Sequence, residues 1–236
     1  MKLFHKLLII LGILSLVLLA ISGPLYRFEW LELGTAFLLL RWAAYIGIGA
    51  GVLLIVMLIW QRPKGTLAGL TVVAIITSAL AVWMPYNQLQ TAQSVPPIHD
   101  ISTDTVNPPE FVAVAPLRAD APNPVAYAGP ETAEQQLKAY PDLETYRSEL
   151  APEALYDKAL ATVTAMGWEL VAGDRDEGRI EATDTTTWFG FKDDVVIRIR
   201  DVDGKTELDI RSKSRVGRSD VGKNAERIRE FLEALN

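Results

Sequence analysis

The stretch Asp193-Asp194-Val195-Val196-Ile197-Arg198-Ile199-Arg200-Asp201-Val202-Asp203-Gly204-Lys205-Thr206-Glu207-Leu208-Asp209-Ile210-Arg211 decides the fold of the large polar part of this chain. Asp-Gly between two alternating runs is a two-residue hairpin turn. With Asp203 and Gly204 at its centre, Val202 faces Lys205 and the pairing propagates by fixed register. Ile199 then meets Leu208 and Ile197 meets Ile210 on one face. On the other, Arg200 meets Glu207, Arg198 meets Asp209 and Asp194 meets Lys213. One face is apolar and the other is a ladder of opposite charges, each pair contributing about 0.2–1 kcal/mol.

Outward from the hairpin, strands are expected at Trp168 to Ala172 and Arg179 to Thr183, joined by the turn-forming run Asp174 to Gly178. A helix starts at Pro152 and reaches Met166, with Leu155, Ala159, Val163 and Met166 on one face and Gly167 as its stop. A shorter helix spans Glu131 to Tyr140 and ends at Pro141. The last helix, about Asp220 to Leu235, offers Ala225, Ile228, Leu232 and Leu235 as its buried stripe. Four strands flanked by helices give an α+β domain, an antiparallel sheet with helices packed on one face.

Between Tyr86 and Pro130 the chain is rich in proline and has no helical period, which reads as an extended arm. Within it, Ile98 to Asp104 fits an edge strand, since prolines confine such a segment to the rim of a sheet. The domain plan is residues 1–84 as a transmembrane anchor, 85–130 as arm and 131–236 as α+β domain.

The front of the chain is of another kind. Three apolar runs, Leu7 to Ile21, Thr35 to Trp60 and Thr66 to Met84, read as three spans of a bilayer whose hydrocarbon core is about 30 Å thick. The first run also fits a secretory signal, with Ala20-Ile21-Ser22 as its cleavage site. Arg62 and Lys64 mark the loop between spans two and three as cytoplasmic, which puts everything after Met84 outside. The expected place is therefore a bacterial inner membrane, crossed several times, with a periplasmic C-terminal domain. Arg41 lies inside the second span, about two turns from its outer end, either snorkelling to the interface or lining a polar path. Gly47 and Gly51, like Gly65 and Gly69, have the spacing that lets helices approach closely. Packing among the three spans is the first use of that spacing, and homo-oligomer formation the second.

Of 23 basic and 29 acidic residues, six basic and two acidic ones precede Pro85, giving +4 there and −10 (17 against 27) in the remainder. So acidic an outer domain argues against nucleic acid as a partner. With no cysteine there is no disulfide, thiol nucleophile or thiolate metal site. No Walker motif, dinucleotide fingerprint or calcium loop appears, so no cofactor is implied.

Four segments, in order, resemble one family. They are His99-Asp100-Ile101-Ser102-Thr103-Asp104 with flanking proline pairs, Gly178 to Thr183, Trp188-Phe189-Gly190-Phe191-Lys192-Asp193-Asp194, and Arg211 to Gly217 with Ser219, Asp220 and Asn224. Together they resemble domain-of-unknown-function family 1499 over about Pro96 to Leu235, and the membrane part resembles the anchors of some bacterial members. The resemblance implies no activity and no catalytic residue.

The residues themselves offer three constellations. Arg215, Arg218, Ser219, Asp220, Lys223 and Asn224 lead into the last helix, where N-terminal amides and cations together fit an anionic ligand; equally, Ser219 or Asp220 caps the helix and the arginines pair with carboxylates. Trp188, Phe189 and Phe191 form either a tip for a partner protein or lipid, or part of the core. His99, Asp100 and Asp104 have no recognised metal spacing, and no metal is expected. The expected function is a binding or assembly module contacting a membrane protein partner or a small anionic ligand. The alternative is an enzyme of envelope or lipid-derived substrates using His99, Asp100 or Asp104 with the serines near the last helix.

Overall fold

A computed structural model describes residues 2–235 and divides the chain into two compact units. The first comprises Met1–Thr91 with Thr187–Gly190, the second Ala92–Thr186 with Phe191–Asn236.

The first unit is built on α1 (Lys2–Arg27), α2 (Leu33–Gln61) and α3 (Thr66–Ser94), each long and apolar enough to cross a membrane. Its interior is lined by small residues. Ala36, Ala43, Ala50, Ala74 and Ala81 are all buried, and a Cβ on Gly12 would lie 2.8 Å from the Ala74 carbonyl oxygen. A Cβ on Gly47 would lie 2.9 Å from the Ser78 oxygen. Gly47 and Gly51 thus serve packing of α2 on α3, whereas a Cβ on Gly65 or Gly69 would meet nothing within 4 Å. Without a hydrophobic drive between helices in lipid, such close approach is what holds spans together. At one end of the bundle the buried His5 Nε2 lies 2.8 Å from Thr71 Oγ1. The Thr71 hydroxyl proton goes to the Leu67 carbonyl at 2.7 Å, so His5 Nε2 is the donor.

One sequence expectation changes here. α3 runs on through Pro85 to Ser94, so the extended arm begins after Ser94 and not at Tyr86. Proline removes one backbone donor, and the following Gln, Leu and Ala residues are good helix formers that carry the helix past it. α1 continues through Ala20-Ile21-Ser22, with the buried Ser22 hydroxyl on the Leu19 carbonyl.

In the second unit, β1 (Asp100–Ser102), β2 (Tyr146–Ser148), β3 (Glu169–Asp174), β4 (Arg179–Thr185), β5 (Lys192–Val202) and β6 (Lys205–Ser214) form one antiparallel sheet. Its order is β1-β6-β5-β4-β3, and β2 also pairs with β6, so two short strands share one edge of β6. The hairpin register is the one the turn dictates, from Val202 opposite Lys205 to Asp194 opposite Lys213. Asp203 and Gly204 both have positive φ, as the turn requires. The outer edge of β1 is closed by Gln136, whose amide accepts from the Ser102 N–H at 3.0 Å and donates back to the Ser102 carbonyl.

Helices α5 (Pro152–Ala165) and α6 (Lys223–Ala234) cover one face of the sheet, while α4 (Pro130–Ala139) lies beside β1. Ile180, Ile197, Ile199, Leu208 and Ile210 pack there against Leu155, Val163, Ile228 and Phe231, with Trp168 stacked on Phe231 at 5.6 Å. Phe231 takes the central place on α6, and Leu232 is only partly buried. The opposite face is buried too. The arm between β1 and α4, with a 3-10 turn at Ala115–Arg118, lies over the charged ladder, and its Phe111 and Val114 close on Val196.

The packing of α2 on α3 gives a direct test: Gly47→Leu should destabilise the helix bundle by about 1–3 kcal/mol. Gly69→Leu should leave thermal unfolding in detergent unchanged, and equal losses at both sites would contradict the packing described.

Candidate functional site

The charged face of the sheet is built from β-strand periodicity: Asp100, Asp194, Asp209, Arg211, Lys213 and Arg215 all alternate onto one side. Its pairings differ from the ladder expected from the hairpin alone. Asp194 is bound not by Lys213 but by Arg215, through Nε and Nη2 at 2.8 Å each, by Arg118 at 3.0 Å and by the Thr183 hydroxyl at 2.7 Å. Lys213 turns to Asp100 at 2.9 Å, which also takes two bonds from Arg211. Arg198 and Arg200 converge on Asp209 at 2.9 and 2.8 Å. Glu207 pairs with Arg147 of β2. The reason is that β1 and the arm add Asp100 and Arg118 to the face, and bidentate arginine outcompetes lysine for a planar carboxylate.

These groups are almost wholly withdrawn from water: Asp100, Asp194 and Asp209 are 0% exposed, Lys213 1% and Arg118 2%. The Glu181 carboxylate, equally buried, accepts the N–H groups of Val112, Ala113 and Val114, which fixes the arm at the entry to its 3-10 turn. Burial pushes the Asp100 carboxyl up, but the bonds and charges of Arg211 and Lys213 outweigh it and hold the carboxyl below the ordinary aspartate range.

The loop into α6 is held from within. Asp220 Oδ1 accepts the Gly222 N–H and Oδ2 the Asn224 N–H, both at 2.8 Å. A carboxylate of the protein thus occupies the helix N-terminus where an external anion would lie, and burial raises its pKa. Ser219 Oγ accepts the Val221 N–H. Asn224 is buried and saturated: its amide donates to the His99 carbonyl and Ser214 Oγ and accepts from Ser212 Oγ and Arg227. Arg227 continues to Asp184 and Asp193. Of the six residues expected to hold a ligand, Arg215 is committed to Asp194 and Lys223 pairs with Glu226 on the surface. Arg218 is exposed, and among the described residues its guanidinium has no ion-pair partner.

His99 Nδ1 faces the Arg218 carbonyl at 3.4 Å, and burial lowers the imidazole pKa. Asp104 is bound by Arg198 at 3.0 Å. The histidine and the two aspartates expected to serve an enzyme therefore go to separate partners. Among the described residues, no three His, Asp or Glu side chains converge as a metal site.

Trp188 and Phe189 belong to the helical unit, where they fill a notch in α1. Pro24 lacks an N–H, so the Ala20 carbonyl one turn earlier has no helical donor, and the Trp188 indole N–H donates to it at 3.1 Å. Gly23 makes the room, for a Cβ there would stand 2.5 Å from Trp188. Arg27 donates to the Thr187 carbonyl, and Phe189 lies between Tyr26 and Phe37 at 6.1 and 5.7 Å. Phe191 begins the second unit, half-buried, its N–H bonded to Thr186 Oγ1. The sequence signal for this notch was Gly23-Pro24, which announces a free carbonyl without saying what fills it. Arg118 and Glu181 carried no local signal either, because their partners are distant in the chain.

The two units define a protein with three potential membrane spans and an α+β domain whose buried Asp100, Asp194 and Asp209 are each paired with cations of the domain itself. Residues 100–235, more than half of the chain, match the family described as protein of unknown function (DUF1499), and the chain belongs to that family. No curated protein matches it.

Asp100→Asn should cost about 3–5 kcal/mol in urea unfolding, because it strands Arg211 and Lys213 as buried cations. The sign of the pH effect follows from the lowered carboxyl. Its contribution is present above the unfolded value near pH 4 and is lost as pH falls through the folded one. The stability difference between the wild type and the Asn variant should therefore shrink below about pH 4.

Trp188→Ala should leave the Ala20 carbonyl unpaired and speed hydrogen exchange across Thr187–Gly190 about tenfold, equivalent to about 1.4 kcal/mol. Gly23→Val should reproduce the effect, and unchanged exchange in both would contradict the notch.

Proposed function

We propose that the chain is a non-catalytic binding or assembly module of the bacterial inner membrane. Its α+β domain lies on the periplasmic side and contacts an acidic group, on a membrane partner protein or a small anionic ligand, through the 217–223 loop. The observation that carries this reading is the exposed, unpaired Arg218 on a loop that Asp220 and Asn224 hold rigid. Ionisable groups that catalysis would draw on are engaged in internal pairs. A preformed loop binds without the entropy cost of ordering.

Charge placement along the helical unit supports the topology. Lys6 near the start of α1 and Arg62 and Lys64 in the α2–α3 loop share one end, which the positive-inside rule makes cytoplasmic. Thr187–Gly190 packs at the opposite end, beside Gly23 and Arg27.

Native mass spectrometry on protein extracted gently from its own membrane tests the binding. Arg218→Ala with Lys223→Ala should lower occupancy of a specific bound partner at least about tenfold, the loss of roughly 1.4 kcal/mol. The urea midpoint should stay as in the wild type, since both side chains are exposed. Arg215→Ala, by contrast, should lower the midpoint by taking one of the two arginines from the buried Asp194. Equal occupancy in wild type and double variant, or a bare protein in both, would overturn the reading.

A further inference from the structure

α2 carries a cleft on the side turned away from its neighbours. The buried stripe of α2 ends at Gly51 and Leu54, and at about 100° per residue Val56, Ile59 and Trp60 lie about 120–160° around the helix from Leu54. All three are exposed, Trp60 to 84%, and with Arg62 they line a cavity of about 500 Å³. That is within the about 300–1,000 Å³ of clefts that hold small ligands. Arg62 ends α2 in the left-handed conformation, φ 45° and ψ 57°, and Pro63 keeps the helix from going on, so Arg62 stands just past the last turn.

Depth along α2 assigns each wall of the cleft to a layer. With α2 across a bilayer, its 29 residues give about 43 Å, of which about 6–7 Å extends beyond each side of a hydrocarbon core about 30 Å thick. Counted back from Gln61, Val56 lies about 7–8 Å along the helix, at the core edge. Trp60 lies about 1–2 Å back, which is about 5 Å outside that edge, in the interfacial layer that indole rings favour. Ile59, about 3 Å back, leans toward the N-terminus and so toward the core. Arg62, one residue beyond Gln61, stands about 8 Å outside the edge, within a long side chain's reach of the phosphates.

Charge at this end has one sign. Arg62 and Lys64 are exposed, and among the described residues neither has an ion-pair partner. The acidic residues of Met1–Thr91 are Glu29 and Glu32, and both lie at the other end, Glu32 as the residue before Leu33. The length of α2, about 43 Å, separates Glu32 from Arg62, several times the screening length of about 8 Å at physiological salt.

We propose that this cleft binds one anionic glycerophospholipid, its phosphate on Arg62 and the start of an acyl chain along Val56 and Ile59. The site rests on α2 spanning the bilayer. Guanidinium matches a phosphate bidentately. A zwitterionic headgroup carries an ammonium that Arg62 and Lys64 repel and that no carboxylate of the helical unit at this end receives. The cleft therefore prefers headgroups of net negative charge.

The test uses the full chain. Wild type should float with vesicles of phosphatidylcholine and phosphatidylglycerol after a carbonate wash; protein left behind would overturn the spanning reading and the site with it. Native mass spectrometry in detergent then follows titration with phosphatidylglycerol, phosphatidylcholine or free glycerol phosphate. The proteins compared are wild type, Arg62→Gln and Lys205→Gln, the last removing the same charge from the hairpin turn of the second unit. Phosphatidylglycerol should bind wild type and Lys205→Gln alike and Arg62→Gln about fivefold more weakly, the factor equal to roughly 1 kcal/mol for a basic residue at an anionic lipid surface. Phosphatidylcholine should bind all three alike, and less tightly than phosphatidylglycerol binds wild type. Circular dichroism of Arg62→Gln should match the wild type; if it does not, the comparison of the two lipids in the wild type decides alone. Equal affinity of wild type for both lipids would overturn the site whatever the variant does. So would equal phosphatidylglycerol binding by wild type and a folded Arg62→Gln, or displacement of the lipid by glycerol phosphate at matched concentration.

Discussion

The second unit depends on one constraint, that no charge on the arm-side face of its sheet can be buried without an opposite charge beside it. An isolated carboxylate there would neutralise itself or unfold its surroundings. Asp194 has Arg118, Arg215 and the Thr183 hydroxyl around it, and Asp100 has Arg211 and Lys213. Arg118 comes from the arm, so the arm's path is set by Asp194 as much as by Phe111 and Val114 packing on Val196. Buried pairs of this kind contribute little net stability beside an apolar isostere, but removing one member is expensive. They specify where the arm lies more than they strengthen the fold.

The helical unit obeys the same rule with backbone groups. A carbonyl freed by proline has no water to turn to in an apolar setting. α1 resolves this at Ala20 with an indole N–H from far along the chain, and Gly23 clears the space for it. Phe189 is buried among the chain's own helices, while Trp188 gives its indole N–H to Ala20 and stays 36% exposed.

What the sequence made legible was whatever rests on local periodicity. The register around Asp203-Gly204 follows from a turn that demands positive φ at two residues, and the helix faces at Leu155 to Val163 and Ala225 to Ile228 follow from a 3.6-residue period. The short β2 escaped because three residues carry no period. The burial of the charged face escaped for a different reason: Asp194 opposite Lys213 reads as a surface pair until an arm 76 residues before Asp194 delivers Arg118. The ligand segment Arg215 to Asn224 was found as a cluster, but a list of residue types cannot tell a cation awaiting an anion from one already holding Asp194.

That distinction bears on how the domain meets its surroundings. Arg118, Arg211, Lys213 and Arg215 turn inward onto two aspartates, Asp100 and Asp194, so the remaining surface of the domain is more acidic than its net charge alone implies. On such a surface an unpaired arginine at the tip of a rigid loop is a local reversal of sign. In the proposed contact, an acidic partner meets a favourable charge at Arg218, which favours one orientation on encounter. The rigidity given by Asp220 and Asn224 then matters as much as the charge, because a fixed cation in an acidic field marks one direction of approach while a mobile one marks none.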